Sequence, residues 1–398
     1  MTLRTEHGVR GDDLLRWSAI AALGVVAPLV AVTRPYLGGV GVLALAIVMA
    51  SGAAALLGYI VRQGTVPRTS AHLVLGALPL IVLYVASTAA NPSTAGITNV
   101  VQLLLVVGFT AGLALVRWSR SSLAMLLWVP TLLVVAHVAW WLALGAPRAF
   151  AGVFGHPNAL GLFALAYGHL AWLLARLSGW RSLRRFIAVS GGASILLLLV
   201  ASGSRATWLA AATSLCVALL WPSLTRRRGV YHAAFGAIML VAFAVTVLLL
   251  IAPSHAWGMR LQELSVALTG QNLFSGRHLF WDDLWTAIAA RPWLGYGAGV
   301  TAESVTGYRW SSHNLYLQTA LQTGAVGLAA LVLFLWSVWA QFRRGRADIG
   351  VRIAASCFAG ILVHQVFEIS LTQNNLATGY LVWLVVAIGI ARIQRPAA

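Results

Sequence analysis

Apolar runs of about 18 residues or more recur from one end of this chain to the other, each able to cross roughly 30 Å of hydrocarbon as a helix rising about 1.5 Å per residue. Within a bilayer every backbone polar group needs a partner inside the protein, so only helices and closed barrels span it. A barrel strand alternates apolar and polar residues over about ten positions. Runs such as Val230 to Ile251 do not alternate. The chain is therefore expected to be all-α and polytopic. Composition agrees, because only 9% of its 398 residues are charged and 60% are hydrophobic, against about 25% charged in soluble domains.

The runs predict twelve helices, at about 17–33, 36–61, 71–89, 97–116, 121–144, 159–175, 186–201, 206–221, 230–251, 313–341, 351–370 and 376–391. The first is preceded by a polar stretch and followed at once by another, so it reads as a retained span rather than a cleaved signal. A formal charge of +18 would suggest nucleic acid in a soluble protein. Here the positions of the arginines explain it, and nucleic acid is not expected as a partner. With a cytoplasmic N-terminus, 20 of the 27 basic residues, all arginines, fall in cytoplasmic loops. Both termini are then cytoplasmic, because cytoplasmic loops carry the excess of positive charge.

The seven other arginines, Arg34, Arg148, Arg205, Arg260, Arg277, Arg291 and Arg309, fall on the outer side against that bias. The segment 252–312 is the longest between predicted spans and the one stretch able to form extramembrane structure; the rest of 1–398 reads as a single integral membrane domain. Cys216 and Cys357 lie in apolar runs as small hydrophobes. Asp282 and Asp283 are adjacent on a predicted helix and point about 100° apart, a poor chelate, so neither a metal nor another cofactor is expected.

Several outer residues admit two readings each. Arg205, in Ser202-Gly203-Ser204-Arg205-Ala206-Thr207, is either an interfacial anchor or a phosphate ligand, since its planar fork suits bidentate binding. Arg277 follows Ser275-Gly276 and shares a stripe with Phe280, Leu284, Ile288 and Arg291. That places it in the first turn of an interfacial helix capped by Ser275, where it either snorkels or completes an anion site. His313, with Asn314 at the mouth of the tenth helix, is a polar cap neighbour or a general base. In Gly155-His156-Pro157-Asn158-Ala159-Leu160-Gly161, capping by Asn158 alone would account for most of the pattern. His364 and Glu368 lie four apart on one face of the eleventh helix, as a functional pair or a structural one.

Taken in order, the SGSRA turn, the FSGRHLFW to RPWLGYGAG segment and the SSHNLYLQTALQTGAVGL helix resemble the O-antigen ligase and O-antigen polymerase superfamily of bacterial membrane glycosyltransferases. The resemblance covers about 150–380, and GHPNALG joins it. It implies a GT-C-like, metal-independent, inverting enzyme of the bacterial inner membrane, working on the periplasmic face with 252–312 as its periplasmic loop. The donor would be an undecaprenyl-diphosphate-linked glycan and the acceptor the lipid A core oligosaccharide or another glycan. The family's diphosphate-binding arginines match Arg205 and Arg277, and its base matches His313. Asn314, His156, Asn158, Arg148, Arg291 and Glu368 are substrate or supporting residues under the same reading, and a monomer is expected. The short loop at about 145–158 favours the ligase branch, with a polymerase or a protein oligosaccharyltransferase as alternatives. A secondary transporter would instead require discontinuous helices and repeat symmetry, neither of which is legible in the sequence.

Overall fold

The computed structural model describes residues 39–116, 118, 120–177, 191–269, 272–374 and 376–394. Among them the α-helices are α1 (Gly39–Gln63), α2 (Arg68–Ala90), α3 (Thr94–Leu113), α4 (Arg120–Ala143), α5 (Pro157–Leu177), α6 (Gly192–Ser202), α7 (Arg205–Arg226), α8 (Arg228–Ile251), α9 (Ala256–Thr269), α10 (Trp281–Ala290), α11 (Ala302–Thr306), α12 (Leu315–Phe342), α13 (Ile349–His364) and α14 (Leu376–Gln394). No strand occurs among the described residues. Seven of these helices are long and apolar enough to cross a membrane, and four shorter apolar segments lie in α4, α6, α13 and α14. The chain is an all-α polytopic membrane protein. The predicted span at 17–33 and the first residues of the one at 186–201 lie outside the described residues.

The burial pattern is that of a bundle solvated by lipid. Leu43, Ile47 and Leu57 on α1 and Leu240 and Phe243 on α8 are exposed, although a soluble fold would hide such faces. α13 is the central element: from Ile353 to His364 its side chains are essentially inaccessible, packed among α7, α14, α5 and α8. Where α1 crosses α3, a Cβ on Gly112 would fall 1.8 Å from the Gly52 carbonyl oxygen. Small residues let the two backbones meet, a device of helix packing in lipid.

Arginines collect at one end of the bundle. Arg62 closes α1, Arg68 opens α2, Arg226 to Arg228 join α7 to α8, and Arg343 to Arg346 follow α12. At this end Asp348 caps α13 through the Gly350 and Val351 N–H groups and pairs with Arg392 at 2.6 Å. The opposite end carries α9, α10 and α11 between α8 and α12, together with the short turns before α5, α7 and α14.

The predicted uninterrupted tenth helix is corrected by α12. It breaks at Gly324, whose φ of 63° and ψ of −163° are non-helical. The chain's own segment 292–297 fills the break. Tyr296 and Gly297 donate their N–H groups to the Leu321 and Gln322 carbonyls, while Ala325 and Val326 donate to the Pro292 and Trp293 carbonyls. The backbone groups that a broken helix frees are thus satisfied by protein. One of the two features required of a transporter, a discontinuous helix, is therefore present although the sequence did not show it, and polypeptide occupies its gap.

Candidate active site

Four short segments converge at the end opposite the arginine-rich face. The first is the turn between α6 and α7. Gly203 turns the chain with φ of 59°, and Ser204 caps α7 by accepting the Thr207 N–H. That cap fixes Arg205 as the first residue of α7. Its guanidinium donates to Ser265 Oγ at 2.5 Å, the Asn272 carbonyl at 2.6 Å and Ser275 Oγ at 3.4 Å.

The second segment precedes α5, and here the capping explanation for Asn158 fails. The His156 carbonyl already accepts the Ala159 and Leu160 N–H groups, so the first turn closes without the Asn158 side chain. That side chain instead donates from Nδ2 to Glu368 Oε1 at 2.9 Å and accepts from Ser204 Oγ at 2.8 Å. Burial holds the His156 imidazole below its ordinary pKa, with His313 and Arg277 adding to the effect and Glu368 opposing it.

The third segment carries Arg277, and the prediction of an N-capped first helical turn is corrected. Ser275 and Gly276 both adopt left-handed backbone, with φ of 49° and 80°, and Arg277 begins a separate 3-10 turn, Arg277–Leu279, ahead of α10. The change matters because it drives the guanidinium inward. Arg277 is only 8% exposed. One Nη2 bond reaches the Phe367 carbonyl at 3.0 Å, the Phe367 ring lies 5.7 Å away, and Nε is buried with no partner. Burial lowers the Arg277 pKa, an effect that Glu368 opposes and Arg205 reinforces. An orphaned donor on a buried cation is rare in folded proteins, because desolvation of each such group costs about 1 to 3 kcal/mol or more.

The fourth element pairs His313 with the strand of irregular chain after α13. α13 ends at His364, so Glu368 lies beyond it in the segment leading to α14, and the predicted eleventh helix is too long. His364 and Glu368 therefore do not share a helical face. Glu368 turns to His313, with Nδ1 3.4 Å from Oε2. Burial would raise the Glu368 carboxyl, but the hydrogen bonds from His313 and Asn158 outweigh it and hold the group below the ordinary carboxylate range. His313 itself has φ of 48°, a conformation that costs a non-glycine residue about 1 to 3 kcal/mol and collects at functional sites. Asn314 is the helix cap: its Oδ1 accepts the Tyr316 and Leu317 N–H groups and its Nδ2 donates to Thr246.

Together these segments enclose a cavity of about 520 Å³. His156, Asn158, Arg205, Arg277, His313 and Glu368 all line it, so six of the residues singled out in the sequence meet in one place. Leu209, Val245, Leu248 and Leu249 from α7 and α8 form its apolar wall. Three other residues fall elsewhere. Asn314 caps α12, Arg148 is exposed in the turn after α4, and Arg291 stacks 4.4 Å over the Tyr296 ring, beside the filler of the α12 break. Sequence reasoning missed Ser204, Ser275 and the Phe367 carbonyl; the first two stood inside motifs already noted, while a carbonyl leaves no sequence signal. Among the described residues no three His, Cys, Asp or Glu gather as a metal site.

The site thus offers two cations beside a histidine backed by a carboxylate, at the polar end of a cavity whose other wall is aliphatic. No curated protein matches the chain. Residues 191–332, which hold the Arg205 turn, the Arg277 segment and His313, match the family model described as O-antigen ligase.

Proposed function

We propose that this protein transfers a glycan from an undecaprenyl-diphosphate-linked donor to a hydroxyl of the lipid A core oligosaccharide, at the periplasmic face of the inner membrane. The observation that carries this reading is the buried Arg277 guanidinium, unpartnered at Nε at the wall of a cavity that Arg205 also lines. Two cations there suit a diphosphate, whose charge grows as the sugar leaves. The aliphatic wall from α7 and α8 suits the first isoprene units of a lipid tail.

In the reaction the acceptor oxygen forms a bond to the anomeric carbon as the bond from that carbon to the diphosphate oxygen breaks. The electron pair leaves with the diphosphate, toward Arg205 and Arg277. His313 takes the acceptor proton. Its Nδ1 faces Glu368, which favours the tautomer carrying hydrogen on Nδ1 and leaves Nε2 as the proton acceptor. The imidazolium that forms is stabilised by the carboxylate. One displacement inverts the anomeric configuration, and no step calls on a metal.

The test is transfer by purified protein in nanodiscs, given an undecaprenyl-diphosphate-linked repeat unit and either a lipid A core acceptor or a second lipid-linked repeat unit. The expected product is glycosylated core with free undecaprenyl diphosphate. Products extended only on the second lipid-linked unit would replace the ligase reading with a polymerase. Absence of transfer to both, from protein that is folded and loaded with donor, would overturn the glycosyltransferase reading.

A further inference from the structure

A stacked aromatic pair stands at the rim of the cavity, outside the chemistry assigned above. The Tyr308 and Trp310 rings stack with centroids 6.1 Å apart and planes 24° apart, yet they stay 38% and 45% exposed. Both rest on Phe280, which is buried. Their backbone is a built turn: Gly307 ends α11 with φ of 75°, Tyr308 N–H donates to Thr306 Oγ1, and Trp310 N–H donates to the Tyr308 carbonyl.

The location ties this pair to the reacting groups. The Trp310 ring lies over Gly276, between cavity-lining Ser275 and Arg277: a Cβ on that glycine would be 3.6 Å from the indole. Ser312, two residues on, is anchored through its carbonyl by Trp281 Nε1, and His313 follows. Polar groups flank the rings, with Ser311 Oγ accepting from Asn374 Nδ2 and the exposed Arg309 between the two aromatics.

We propose that Tyr308 and Trp310 form a saccharide-stacking subsite that holds a pyranose unit of the glycan beside the cavity. The physical basis is the dual character of a sugar ring. One face presents polarised C–H groups, which pack on the negative face of an aromatic ring, while the hydroxyls around the edge need polar partners. A pre-ordered aromatic pair rimmed by Asn374, Ser311 and Arg309 supplies both, and its rigidity reduces the ordering cost of binding. A role as membrane-interface anchor fits Trp293 better: it is 71% exposed beside the equally exposed Leu294.

The subsite rests on the glycosyltransferase reading for its role, but its binding can be measured apart from it. Saturation-transfer NMR on protein in nanodiscs would use lipid-free core oligosaccharide in one arm and lipid-free repeat-unit oligosaccharide in the other, which identifies the acceptor or the donor as the source of the sugar. Contact with one of them in the wild type, lost in Trp310→Ala and Tyr308→Ala and kept in Trp310→Phe and Trp293→Ala, is expected. In transfer assays Trp310→Ala should raise KM for that same substrate about tenfold and change kcat less than threefold. The proposal is overturned if neither oligosaccharide contacts the wild type, if Trp310→Ala leaves contact and KM unchanged, or if Trp293→Ala is as harmful as Trp310→Ala. Saccharide contact without transfer in the wild type would instead count against the catalytic reading alone.

Discussion

Replacing Glu368 with glutamine separates the charge of this side chain from its shape. The carboxylate accepts from Asn158 at 2.9 Å and faces His313 Nδ1 at 3.4 Å, with its side chain 14% exposed. A hydrogen bond to a charged group contributes about 1.5 to 3 kcal/mol, and strong ones are near 2.7 to 2.9 Å. At 3.4 Å the His313 contact belongs at the low end, about 1.5 kcal/mol. Because 1.36 kcal/mol is about tenfold in rate, Glu368→Gln should lower kcat about tenfold, and up to about a hundredfold if the contact shortens in the loaded site. Donor affinity should change less than kcat, since the proposed mechanism assigns the diphosphate to Arg205 and Arg277 and gives Glu368 no bond to it. The assay is steady-state transfer in nanodiscs, on protein whose thermal unfolding has been checked. Unchanged kcat in Glu368→Gln would refute the carboxylate–histidine coupling and return His313 to a structural role.

Three further outcomes are expected. Arg277→Ala should weaken donor binding and turnover about ten- to a hundredfold, with lysine restoring only part because it keeps charge but loses the fork; donor titration of each variant decides this, and full rescue by lysine would count against bidentate phosphate contact. Gly324→Ala should lower the thermal midpoint, since positive φ and overpacking against Trp293, whose carbonyl carbon would be 2.2 Å from the new Cβ, each cost about 1 to 3 kcal/mol; an unchanged midpoint would mean the break relaxes freely. The depressed Glu368 pKa makes a linkage prediction: its contribution is fully present above the unfolded carboxylate value of about 4.3 and is lost as pH falls through the lower folded value, so wild-type melting should fall in that range more steeply than that of Glu368→Gln.

Much of the fold was legible because hydropathy and charge are local. A run such as Val230 to Ile251 must be helical in lipid whatever its neighbours do, and the resulting helix is α8. The break in α12 was hidden, since Gly324 within an apolar run reads as ordinary membrane-helix glycine. Only packing against 292–297, which supplies partners for both severed ends, makes the interruption affordable. The overlong eleventh helix has a similar cause: Gln365 Oε1 accepts the Ser370 and Leu371 N–H groups, a side-chain substitute for helical bonding that composition does not reveal.

The site divides along the same line. Sequence by itself marked out the candidate side chains: seven arginines placed against the charge bias, a histidine at a helix mouth, and a carboxylate near the end of a span, since their cost in or near lipid is a property of each residue. Only the tertiary structure decided which of them meet in one cavity. Asn158, Arg205, Arg277, His313 and Glu368 come from segments up to 210 positions apart, and nothing local distinguishes Arg277 at the cavity from Arg291 on the Tyr296 ring. That distinction depends on left-handed backbone at Ser275 and Gly276, which turns one guanidinium inward, away from the water that would otherwise have solvated it.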